Sequence, residues 1–181
     1  MKPQDILIVL KIQSLNDRSS DNNAAGPVWS QRLLAEETGL SLSEVNSACR
    51  RLREVGLLRP VERETARSKV VCSSLLEFLI HGLKYVFPAI TGGASRGMPT
   101  GYAADPLRDM FLTSANDLPP VWPDANGAVR GVVLEPLYKT VPMAAKRDPA
   151  LYEFLVLVDA IRAGRARERT AAIEILRKRL G

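Results

Sequence analysis

Apolar and polar positions recur at helical spacing in six stretches of the chain, over 3–15, 30–38, 41–55, 73–87, 149–163 and 165–180. The sharpest pattern is 41–55. Val45, Ala48, Cys49 and Leu52 fall at i, i+3, i+4 and i+7 and share one face, while Ser43, Asn46, Ser47 and Arg50 share the opposite one. Ser41 with Glu44 three residues later forms a capping box, and Gly56 suits the left-handed position past the helix end. In the stretch before it, Ser30 is placed to cap and Leu33 and Leu34 make an apolar side. Gly39 supplies the positive φ of a sharp turn, and Leu40 plugs the junction. The pattern therefore predicts a short helix, a tight turn and a longer helix whose anchored face opposes a small, hydrogen-bonding face flanked by Arg51 and Arg53. That is the pattern of a recognition helix.

Around this pair the pattern predicts supporting elements. The first helix, over 3–15, brings Ile6, Leu7, Val9 and Leu10 to complete a three-helix core, and 16–27 has loop composition. After Leu58 two extended runs, 58–61 and 69–73, flank a polar tip with Arg63 and Arg67, as in a two-stranded ribbon. Cations there suit a phosphate backbone, although Glu62 and Glu64 dilute them, and a solvated hairpin explains them equally well. The helix over 73–87 has Leu75, Leu76, Leu79, Leu83 and Val86 on its apolar side and stops at Pro88.

Periodicity then fails. From 88 to 121 the chain is rich in Gly, Pro, Thr and Ala, which predicts a long functional or loosely ordered loop. Gly93-Ala94-Ser95-Arg96-Gly97 satisfies G-x-S-x-G, but Pro99 follows at once and the only histidine, His81, lies upstream, so it reads as a chance match. Met98 stands where a phosphate loop needs lysine. Asn126-Gly127 between extended segments predicts a small hairpin over 121–134, with Trp122 and Tyr138 as core anchors. Asp148 and Pro149 open a helix with a stripe of Leu151, Phe154, Leu155, Val158 and Ile161 that Gly164 ends. The last helix sets Ile173, Leu176 and Leu180 against Arg165, Arg167, Arg169, Arg177, Lys178 and Arg179, a basic surface that reads first as a solvated face. Its apolar stripe fits either an intramolecular helical pair or a two-fold contact.

Composition narrows this picture only modestly. The 181 residues carry a net charge of +5, which suits an anionic partner, with 46% hydrophobic and 25% charged residues as in ordinary globular chains. Cys49 and Cys72 are too few for a disulfide framework, and the N-terminal apolar run is broken by Lys11. A cytoplasmic protein without a membrane span, metal or cofactor is expected. With no nucleophile–base–acid set or phosphate loop, an enzyme is not.

Residues 29–58 resemble the helix-turn-helix of MarR-type winged-helix regulators, through Leu34, Ala35, Gly39, Leu40, Ser41, Ser43, Val45, Leu52, Gly56, Leu57 and Leu58. The phrases at 81–89, 96–100, 121–124 and 165–169 further resemble a group of bacterial winged-helix proteins of unassigned role. The resemblance implies a mainly α fold with a small β component. A winged helix-turn-helix domain at 1–73 would be followed by a mostly helical region at 74–181, loop-rich over 88–147 and closed by a helical pair over 149–180. It also implies a transcriptional regulator that binds double-stranded DNA as a homodimer. Ser43, Asn46, Ser47 and Arg50 would read base edges, while Arg51, Arg53, Arg63, Arg67 and Lys69 contact the backbone. The alternative is a winged-helix interaction module, or antitoxin-like partner of another protein, that does not read DNA. A small effector is compatible with either.

Overall fold

The computed structural model describes residues 1–21, 29–59, 68–111 and 117–181, a mainly helical chain with one small three-stranded sheet. Two helices buried on all sides over much of their length form its centre. Helix α1 (Pro3–Asp21) buries every residue from Asp5 to Leu15, and α7 (Pro149–Ala163) every residue from Phe154 to Ile161. A helix covered on all sides belongs inside a core. The stripe expected of 149–163 was too narrow, since Val156 and Leu157 beside it are fully buried.

Helix α1 also continues to Asp21, where a loop was expected from residue 16. Tertiary contact overrides the loop-like composition. Lys11, Ser14 and Arg18 share one face of α1 and converge on the buried carboxylate of Asp148, Lys11 and Ser14 each at 2.7 Å and Arg18 in an ion pair. The same carboxylate accepts the Leu151 N–H at 3.1 Å and caps α7. Burial pushes the Asp148 carboxyl up, but Lys11, Ser14 and the Leu151 N–H together outweigh it, and its pKa lies below the ordinary value.

Helices α2 (Gln31–Thr38) and α3 (Leu42–Glu54) stand where the pattern placed them. Lys11 reaches Glu37 of α2 at 3.1 Å, which ties α2 to the same ionic centre. After α3, Leu58 and Val70 form an antiparallel bridge, with Arg59 N–H to Lys69 O at 2.9 Å and Val71 N–H to Leu57 O at 3.0 Å. The tip expected between these runs, with Arg63 and Arg67, lies outside the described residues. The second run is shorter than expected, because the chain is helical again from Cys72. Helix α4 (Cys72–Glu77), a π turn (Phe78–Gly82) and α5 (Leu83–Val86) follow as one rod, inward-facing at Leu75, Leu79 and Leu83.

The expected long loop contains instead the first strand of the sheet. Strand β1 (Thr91–Pro99) pairs antiparallel with both β2 (Pro120–Pro123) and β3 (Val129–Leu134), and β2 and β3 pair parallel, so the three strands close on one another. The hairpin expected across Asn126-Gly127 is therefore overturned: a turn does form, with Gly127 N–H to Asp124 O at 2.9 Å, but its flanking strands do not run antiparallel. Glycine explains both the missed strand and its closure. A Cβ on Gly97 would stand 2.1 Å from the Trp122 carbonyl oxygen, and one on Gly131 would stand 2.0 Å from that of Pro119. Such residues depress strand propensity while permitting backbone approach.

Helix α6 (Val141–Arg147), also unexpected, leads into α7, and α8 (Ala166–Leu180) packs back on α7. One hydrophobic cluster runs from Ile6 to Leu180, so packing shows no boundary at residue 73. Among the described residues no helix is long and apolar enough to cross a membrane.

Candidate nucleic-acid interface

The pair α2–α3 is held by its own sequence at every joint. The Ser30 hydroxyl accepts the Leu33 N–H at 3.1 Å, and Gly39 turns the chain with φ of 68°. The Ser41 hydroxyl accepts the Glu44 N–H at 3.3 Å while Glu44 accepts the Ser41 N–H at 2.9 Å, a complete capping box. Hydrogen bonds from the Ser41 hydroxyl and N–H hold the Glu44 carboxyl below its ordinary pKa. It is a carboxylate at the positive end of α3. Val45, Ala48, Cys49 and Leu52 are buried, and Gly56 takes φ of 75° just beyond the end.

The opposite side of α3 remains open. Ser43, Asn46 and Arg50 are exposed and Ser47 is half-buried, so the four residues expected to read bases lie on one outward strip. Arg50 is 70% exposed and pairs with Glu54 at 3.9 Å. Such an exposed pair is worth at most about 1 kcal/mol, so it yields readily to a better acceptor.

Its neighbour Arg51 has a different fate. Its Nε and Nη2 donate to the two oxygens of Asp5 at 2.8 and 2.5 Å, and the Asp5 side chain is fully buried in α1. This bidentate bond raises the Arg51 pKa further. The expectation of a backbone contact at Arg51 is corrected here, because its fork anchors α3 to α1. Arg53 is half-buried and its Nε donates to Ser68 Oγ at 2.9 Å, fastening α3 to the segment before Val70. Lys69 is exposed beside the Leu58–Val70 bridge. Arg63 and Arg67 lie outside the described residues.

Two neighbours of this strip were missed. Arg59 is exposed and pairs through its backbone with Lys69, and its place directly after Gly56-Leu57-Leu58 was a usable signal. Tyr138, expected as a core anchor, packs partly buried against the core, and its hydroxyl also donates to Glu44 at 3.3 Å and brings exposed Lys139 beside α3. No sequence signal joins residues 94 positions apart. Helix α6 abuts the turn: a Cβ on Gly39 would fall 2.3 Å from the Met143 methyl, and Arg147 donates to the Glu36 carbonyl.

Elsewhere the described residues offer little chemistry. Ser95 lies within β1 and donates to its neighbour's carbonyl at 3.2 Å, so G-x-S-x-G here is not a strand-to-helix elbow. Burial raises both thiols, Cys49 and Cys72, which makes them poor nucleophiles. Among the described residues no three His, Cys, Asp or Glu gather as a metal site. No protein-family model, curated protein or solved structure matches the chain.

Proposed function

We propose that this chain is a sequence-specific DNA-binding transcriptional regulator of winged helix-turn-helix type, with α3 as the recognition helix. The observation that carries the reading is the two-sided character of α3. One side is locked by a buried apolar face and the Asp5–Arg51 clamp, and the other presents Ser43, Asn46, Ser47 and Arg50 outward. An arginine pairs bidentately with guanine and an asparagine with adenine in the major groove. Arg53 through its remaining donors, Arg59 and Lys69 supply phosphate contacts beside the Leu58–Val70 bridge, and Arg63 and Arg67, outside the described residues, belong to the same proposed set. Binding as a two-fold dimer, with half-sites one helical turn apart, belongs to the same proposal.

The alternative, a protein-interaction module, draws on one observation. Tyr138 bonds Glu44 in the first turn of α3 and Met143 of α6 stands beside Gly39, so another segment of the chain already docks at this end of the helix pair. Titration of the full chain against duplex DNA at two salt concentrations separates the readings. A DNA reader binds with an affinity that falls steeply with salt. Arg50→Ala then loses about 1–3 kcal/mol and relaxes specificity at one base pair. Absence of binding at low salt, or an unchanged sequence preference in Arg50→Ala, overturns the regulator.

A further inference from the structure

Far from α3, a cavity of about 190 Å³ opens between β3, the turn at Gly101-Tyr102 and the α7–α8 junction. Its body is apolar, formed by Leu118, Pro120, Val132, Leu134 and Ala160. Its charged groups are of one kind. Two carboxylates line it, Asp159 and Glu168, and neither lysine nor arginine does. The carboxylates differ in how far they are already satisfied. Asp159 is buried and receives Thr100 at 2.8 Å, Trp122 at 2.6 Å and Arg162 at 2.7 Å, so its charge is matched within the fold. Glu168 spends one oxygen on the Arg165 N–H at 2.8 Å. No ion pair joins it to a described cation, and the Arg165 side chain is exposed and does not line the cavity. A Cβ on Gly164 would stand 2.2 Å from the Ala160 carbonyl oxygen and 3.1 Å from this carboxylate. Tyr102, half-buried, lines the same cavity with an aromatic ring.

We infer that this cavity is a binding site for a small ligand with a compact apolar or aromatic body and one ammonium group. The size sets the body, because a dry cavity of about 150 Å³ takes a benzene ring. The ammonium is set by Glu168, a carboxylate in no ion pair with a described cation, beside the aromatic Tyr102. Anions are rejected because the wall carries no lysine or arginine and its one charge not matched within the fold is the Glu168 carboxylate. The site does not depend on DNA binding by α3.

Calorimetric titration of the full chain with benzylamine, benzyl alcohol and benzoate tests this. Benzylamine binds saturably at around millimolar concentration, the ceiling for about eight heavy atoms of modest efficiency. Benzyl alcohol binds about tenfold more weakly and benzoate not measurably. Glu168→Gln keeps an acceptor for the Arg165 N–H but removes the preference for amine over alcohol. Ala163→Phe, at an exposed rim position, blocks the amine while leaving the melting temperature near that of wild type. The inference is overturned if benzoate binds as well as benzylamine, if benzylamine fails to bind at 10-fold above about 1 mM, or if neither variant changes the titration.

Discussion

The helix pair at 30–58 and the strand-bearing segment at 88–147 are built on opposite principles. In the first, hydrogen bonds between residues three apart define each joint: Ser30 with Leu33, and Ser41 with Glu44. In the second, partners lie far apart in sequence, as when Ala94 meets Val132 or Gly97 meets Pro123. The helix pair can leave one face of α3 open because its geometry does not need that face. The strand segment closes on itself and on α7, with Trp122 and Thr100 both bonded to Asp159. An exposed polar strip belongs on a locally specified element, and a half-open cavity on one built by long-range pairing.

The largest expected effect comes from the centre that joins these regions. Asp148→Ala leaves Lys11 buried with only the half-exposed Glu37 as partner and removes the cap of α7, which should cost about 3–5 kcal/mol in denaturant unfolding. The pH dependence sharpens it. Because the folded pKa of Asp148 is lowered, its stabilisation is present above the unfolded value of about 3.9 and is lost as pH falls through the folded value. Burial raises the carboxyl of Asp159 against the pull of Arg162, so that group works in the opposite direction. The difference between wild type and Asp148→Ala isolates the first: it should shrink below about pH 4.

Gly131→Ala comes next. A methyl forced against the Pro119 carbonyl should cost about 1–3 kcal/mol, by opening the β2–β3 pairing. If thermal unfolding shows no loss, the closed sheet is wrong. Ser41→Ala should cost about 1 kcal/mol through the lost cap, without disturbing the sheet. Smallest is Arg50→Ala, whose stability should stay within about 0.5 kcal/mol of wild type although its DNA affinity falls. Arg51→Ala inverts that pattern, because its guanidinium is committed to Asp5. A double titration of stability and DNA affinity across the two adjacent arginines therefore reads the assignment directly.

What the sequence determined by itself lies where cause and effect are close along the chain. The caps of α2, α3 and α7, the turn at Gly39 and the buried face of α3 all follow from residue type at short spacing. The outward strip of Ser43, Asn46 and Arg50 follows from the same period. Tertiary structure decided the rest. Arg50 and Arg51 are chemically identical neighbours, and the position of Asp5 on α1 separates an exposed guanidinium, loosely paired with Glu54, from a committed one. The length of α1 depended on Asp148, more than a hundred residues away, and the strand at 91–99 on partners that compensate for its glycines. Short-range propensity acts through the chain's own dihedral angles, whereas burial, charge pairing and strand registry depend on which distant residues the fold delivers.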